Sequence, residues 1–214
     1  MRISALIDSP PQLKQSFQWQ SSAVTQHERP PSARRDELLE RAYRYALEHG
    51  LAELSLRPLA AAIGSSPRVL LFLFGSKDEL IRALLARARA DELAALRQAR
   101  EATGADDFAA AVRATWAWLV APAHRPMLVL WLQAYARSLS EPDGPWAGFA
   151  RQTVADWLGL LADAHGEAGG GATDPALGLA LLRGALLDLL ATGDAERTTA
   201  VVERYLCLVG TTAR

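Results

Sequence analysis

The chain has 214 residues, half of them apolar, and a formal net charge of −1. That length suits one medium domain or a small domain joined to a larger one, and the near-neutral charge means that any nucleic-acid surface must be local. Cys207 is the only cysteine, which excludes an intrachain disulfide and a cysteine-rich metal site; a reducing, cytoplasmic setting is expected.

Residues 1 to 33 are rich in Ser, Gln and Pro and show no sustained periodicity, the composition of a disordered arm. They lack a basic segment leading into an apolar one, and nowhere does an unbroken apolar run approach the ~18 residues of a membrane span. A first helix is predicted from near Ser32 to Gly50. Leu38, Leu39, Ala42, Tyr45 and Ala46 form its apolar face, and Asp36 and Glu37 stand near its positive end.

The next stretch, residues 55 to 77, reads as two short helices about a glycine turn. Ser55 is a candidate N-cap with Pro58 in the first turn. Leu59, Ala60 and Ile63 share one face, and Gly64 ends the helix where a positive φ is needed. Ser66 and Pro67 then form a second N-cap and first helical position, so the pair is a helix-turn-helix. At ~100° per residue, Val69, Leu70, Leu73 and Phe74 fall on one side of the second helix, and Pro67, Arg68, Leu71 and Phe72 on the other. Arg68 has the chemistry to bond guanine O6 and N7, and Leu71 or Phe72 to pack on thymine methyls. Arg57 and Lys77 stand in first turns of neighbouring helices, where side chain and backbone N–H suit phosphate. Across residues 34 to 77 basic side chains outnumber acids by two. An ordinary helical hairpin with a core second helix would share these spacings and caps.

Ser76 and Glu79 are spaced as a capping box, opening a long helix to about Thr103 through Leu80, Ile81, Leu84 and Leu85. Its second half alternates Arg with Ala and Glu, as a partly exposed connecting helix would. Further helices are predicted from a cap at Asp106 or Asp107 to Val120, from His124 to Ser140, from about 145 to 165, from about 174 to 192 and from about 194 to 212. The fold class is all-α with about nine helices, divided into an arm (1–33), a helix-turn-helix domain (34–85) and a helical bundle (86–214).

The segment Gly64-Ser65-Ser66-Pro67-Arg68-Val69-Leu70-Leu71-Phe72-Leu73-Phe74-Gly75-Ser76-Lys77-Asp78-Glu79-Leu80, with Ser55-Leu56-Arg57 and Leu59-Ala60 before it, resembles the DNA-binding motif of TetR-like (tetracycline-repressor-like) transcriptional regulators. The match is specific over about 34 to 85. Three positions depart from the family pattern: Leu71 replaces a tyrosine that bonds phosphate, Leu73 a histidine, and Arg68 a glycine. The resemblance implies a homodimer on a palindromic operator in double-stranded DNA, with Ser55, Arg57, Ser66, Pro67, Arg68, Leu71, Phe72 and Lys77 at the DNA. It further implies a small-molecule inducer bound in the second domain, and a dimer interface through residues about 174 to 212.

Independently, large aromatics recur in three successive helices. Trp116, Trp131, Tyr135, Phe149 and Trp157 are the candidate pocket wall, which would favour an apolar or aromatic ligand. His124, Gln133, Tyr135, Arg137 and Thr115 are the polar candidates beside it, although aromatic stripes of this kind also serve as plain core. In the last two helices Leu177, Leu181, Gly184, Leu187 and Ala191 form one stripe, and Val201, Val202, Tyr205 and Val209 another. No Walker loop, Rossmann fingerprint, nucleophile elbow or His-Glu-x-x-His is present. His27, His49, His124 and His165 lack metal-ligand spacing, Gly169-Gly170-Gly171 reads as a linker, and Asp106-Asp107 reads as a cap. No enzyme activity, metal or cofactor is expected. The alternative to a regulator is a helical protein–protein interaction module, prompted by the apolar second helix of the motif.

Overall fold

The structure, a computed structural model, describes residues 31–51, 54–104, 107–163 and 175–212. Among these are nine α-helices and no strand: α1 (Pro31–His49), α2 (Leu56–Ala62), α3 (Pro67–Phe74), α4 (Lys77–Thr103), α5 (Phe108–Val120), α6 (Arg125–Ser140), α7 (Phe149–Ala162), α8 (Pro175–Thr192) and α9 (Ala195–Thr212). A short 3-10 turn, Pro122–His124, joins α5 to α6. Helix α1 starts at Pro31, near the expected Ser32, so residues 31–33 belong to it rather than to the arm, and Asp36 and Glu37 lie beyond its first turn. The rest of the expected arm, Asp106, His165 and the triple glycine all lie outside the described residues, and His27 lies in that arm.

Local chemistry sets the boundaries of the motif. Ser66 Oγ accepts the Val69 N–H at 3.3 Å and Ser76 Oγ that of Glu79 at 3.1 Å, each satisfying an orphan donor. The return half of the expected capping box does not form, because Glu79 turns its carboxylate to Arg82 at 2.5 Å. Ser55 stands at the N-cap of α2 without a side-chain cap bond. Between α2 and α3, Gly64 takes φ +67. The Ser65 N–H reaches Ala60 O at 2.8 Å and the Gly64 N–H reaches Ala61 O at 3.3 Å, the paired bonds of a glycine C-cap.

One hydrophobic cluster runs through the molecule. Leu38, Ala42 and Ala46 of α1 meet Leu59, Ile63, Leu70, Phe74, Leu80 and Leu84, and α4 carries the cluster on through Leu96 to α5, α6 and α7. Full burial of each such leucine contributes roughly 1.5–3 kcal/mol. Polar clamps hold α1 on α4: Tyr43 Oη donates to Asp91 at 3.0 Å, Arg87 pairs with Glu40, and the Arg87 guanidinium lies 4.9 Å over the Tyr43 ring. Burial, reinforced by Asp91, raises the Tyr43 phenol well above its usual range. Residues 142 to 148 form turns rather than the predicted helix start, and Trp146 is buried in that loop beneath Arg137, whose Cζ is 5.3 Å from the ring.

Helix α8 is long and apolar enough to cross a membrane, its run broken only by Arg183 and Asp188, yet it packs on α5, α7 and α9. Close approach to α5 depends on Gly178, where an added Cβ would lie 2.7 Å from Phe108 Cζ. Gly178→Ala would gain up to ~1 kcal/mol of helix propensity. It would lose more, about 1–3 kcal/mol, to overpacking against a ring that is 4% exposed. A net fall in melting temperature is expected; a rise would show that α5 and α8 separate freely.

Candidate functional site

Helices α2 and α3 cross at 100°, the angle of a helix-turn-helix. On α3, Leu70 (1% exposed) and Phe74 face the core, while Leu71 is 41% and Phe72 82% exposed. Val69, expected on the inner side, is 38% exposed, so the outer face is wider than the helical wheel suggests. Ser55, Arg57, Ser66, Arg68 and Lys77 are all exposed and Pro67 is half-buried; they stand on α3 and at the starts of α2 and α4.

Apart from Arg44, the basic residues of residues 34 to 77 divide into two groups. Arg34 and Arg41 pair with Glu37 at 2.9 and 2.6 Å, Arg41 also donates to Ile63 O at 3.2 Å, and Arg35 lies 4.8 Å over the Phe74 ring. The Glu37 pairs lie within α1, while Arg41 at Ile63 and Arg35 over Phe74 tie α1 to the motif. Arg57, Arg68 and Lys77 are exposed and make no ion pair among the described residues.

In the bundle, the candidate aromatic wall separates. Trp131, Tyr135 and Trp157 converge: ring centroids lie 5.1 Å apart for Trp131–Tyr135 and 6.2 Å for Trp131–Trp157. Phe149 lines a neighbouring enclosed pocket with Glu92, Met127, Leu128 and Trp131 that has no room for a water molecule. Trp116 lies elsewhere, its Nε1 donating to Thr199 of α9 at 2.9 Å. Of the polar candidates only Tyr135 reaches the cluster. His124 Nδ1 bonds Trp118 O at 2.7 Å, Gln133 packs against Gly50, Arg137 covers Trp146, and Thr115 is 2% exposed.

Two charged residues that sequence reasoning passed over complete the cluster. Glu92, in the half of α4 read as partly exposed, is 3% exposed. Burial pushes its carboxyl up to about 8, with nearby Asp156 acting the same way, while Trp157, Arg183 and Arg89 pull it down. Trp157 faces the carboxyl without a well-formed hydrogen bond, since neither Trp157 Nε1 nor Glu92 Oε1 has a partner. Arg183 of α8 places its Cζ 5.5, 5.1 and 5.6 Å from the Trp131, Tyr135 and Trp157 rings. Burial lowers its pKa from the usual value, opposed by Tyr135 and Glu92.

A groove of about 660 Å³ runs between α1, α4 and the α5–α6 turn, lined in part by Tyr43, Arg44, Asp91, Trp118 and His124. No group of three or more His, Cys, Asp and Glu is placed to hold a metal among the described residues.

Residues 38–84 match the model of the family described as bacterial regulatory proteins, tetR family. That match covers the helix-turn-helix, α2 and α3, with most of α1 and the start of α4. The whole fold agrees. A TetR-family transcriptional regulator from Rhodococcus sp. superposes with TM-score 0.63 at 20% identity, covering 86% of this chain and all (100%) of that one. A TetR transcription regulator from Haloarcula marismortui does so with TM-score 0.65 at 17% identity, covering 85% and 98%. The multidrug binding protein EbrR in complex with imidazole gives TM-score 0.60 at 25% identity, covering 80% and 89%. EbrR complexes with proflavin and with malachite green are similar too. A comparison with curated proteins finds no match. The exposed face of α3 lies within the matched residues, and the Trp131–Tyr135–Trp157 cluster lies in the helices that follow them.

Proposed function

We propose that the protein is a non-enzymatic cytoplasmic repressor that binds a palindromic operator as a homodimer and leaves it when a small apolar or aromatic inducer enters the bundle. The observation that carries this reading is the outer face of α3, which presents Arg68, Leu71 and Phe72 while Leu70 and Phe74 anchor it. Arg57 and Lys77 flank that face as phosphate anchors. Dimerisation through α8 and α9 is supported by exposed Leu177, Leu187, Val201 and Leu208, a quantity of outward apolar surface that a partner chain would cover. Two recognition helices then meet half-sites about one DNA turn apart. Inducer binding favours a spacing that mismatches the operator and shifts the population off DNA. EbrR, similar in fold, forms complexes with proflavin and malachite green, both aromatic, which supports an aromatic inducer here.

Selection of bound sequences from random DNA with the purified protein tests the class: a palindrome supports it. Arg68→Ala is expected to lower affinity by ~1–3 kcal/mol and to relax selectivity at one base pair. An equal loss on every sequence would assign Arg68 to phosphate instead.

The exposed Phe72, Leu71 and Val69 support a second reading, an apolar patch for a protein partner. No enrichment over bulk DNA in the same selection would favour it.

A further inference from the structure

We infer that the groove between α1, α4 and the α5–α6 turn is a small-molecule site, separate from the Trp131 cluster, for a neutral fused-ring aromatic compound whose hydroxyl donates to His124 Nε2.

The groove holds about 660 Å³, within the size range of sites for small organic molecules. Its apolar walls include Trp118 and Met127, both buried, and the half-buried Leu47. Only Met127 is shared with the sealed pocket beside Trp131 and Glu92, so the space is open here where that one is closed. An occupant would touch α1, which carries the helix-turn-helix, and the first turns of the bundle helix α6 at once.

His124 supplies the directional group. Its ring stacks on Trp118, with centroids 4.1 Å apart and planes 18° from parallel. Its Nδ1 bonds Trp118 O at 2.7 Å. A carbonyl can only accept, so the proton stands on Nδ1, and in the neutral ring Nε2 is an acceptor. The Nδ1 bond satisfies a carbonyl in the last turn of α5. That task leaves Nε2 without a hydrogen bond among the described residues. Stacking and the Nδ1 bond together fix the ring, so little ordering is left for a ligand to impose.

Charge decides against an ionic ligand. Asp91 is engaged on both oxygens, accepting from Tyr43 Oη at 3.0 Å and pairing with Arg87 at 3.1 Å. The remaining charged wall residues, Arg44 and Glu48, are exposed, stand one turn apart on α1 and make no ion pair among the described residues. Their signs are opposite, so a full charge on the ligand would be attracted by one and repelled by the other at similar range. A neutral hydroxyl suits the one acceptor whose direction is fixed, and flat fused rings suit Trp118 and Leu47.

The test is calorimetric titration with naphthol, with its methyl ether as a control that keeps the rings and lacks the donor. Wild type is expected to bind naphthol about tenfold more tightly than the ether, the effect of one hydrogen bond that the ether leaves unmade. His124→Asn, whose amide keeps a donor near the Nδ1 position and drops Nε2, is expected to bring the two compounds to equal affinity. His124→Phe, which keeps a ring on Trp118, is expected to do the same. Ala123→Trp, at an exposed position on the groove wall, is expected to fill the space and abolish binding of both compounds without lowering the melting temperature. Equal affinity for the two compounds in wild type, or no binding of either, overturns the inference. So does a preference for naphthol that survives in both His124 variants, or naphthol binding undiminished in Ala123→Trp, which would place the compound elsewhere.

Discussion

Raising the pH from about 5 to about 8 is expected to lower the melting temperature of the protein through Glu92. Its carboxyl titrates near 4.5 in an unfolded chain and, raised by burial, at about 8 in the folded one. Below 4.5 both states hold the proton and folding neither gains nor loses by it. Between the two values the unfolded chain releases the proton while the folded protein keeps it, so stability falls by about 1.4 kcal/mol per pH unit. Above 8 both states are ionised and the decline stops. The whole effect is on the order of a few kcal/mol, a large share of the stability of an ordinary domain. Glu92→Gln cannot ionise and should flatten the profile, gaining most over wild type at the alkaline end. Thermal melts of the two proteins across this range check it; parallel profiles would remove Glu92 as the cause.

Leu70→Ala and Phe72→Ala, two residues apart on α3, are expected to have opposite consequences. Leu70 is 1% exposed beneath the helix, and truncation there leaves a cavity worth about 2–5 kcal/mol of lost stability. Phe72 is 82% exposed, and its truncation should change stability by less than about 0.5 kcal/mol. DNA affinity should fall in the Phe72 variant in spite of its intact melt, since the ring is lost from the face proposed to read DNA. Denaturant unfolding together with DNA titration separates the two. A stable Leu70→Ala, or a Phe72→Ala with undiminished DNA binding, would show that the face of α3 has been assigned wrongly.

The contrast between those neighbours was legible in the residue order, because position around a short helix follows from its ~100° step. Caps were legible for the same local reason: Ser66, Ser76 and Asp107 each accept a backbone N–H three residues on. The resemblance to TetR-like regulators rested on that same local chemistry, and the match over residues 38–84 follows it. Less legible was what each partner does once capped. Glu79 prefers Arg82 to the box it could have closed, a choice between two nearby bonds of similar energy.

Sequence therefore decided the helices, the turn at Gly64 and the two faces of α3, all of which depend on residues within about one turn of each other. The candidate pocket depended on distances along the chain that no periodicity encodes. Trp116 and Trp131 look alike in the sequence, yet one bonds Thr199 on α9 and the other joins Tyr135 and Trp157. Trp146 was expected in a helix and lies buried in a loop. Glu92 resembles any charge on a connecting helix, and Arg183 any break in an apolar run. Only the packing of α4, α6, α7 and α8 buries that carboxylate and sets that guanidinium among three rings, because desolvation and ring geometry belong to neighbours brought together from 92 to 183.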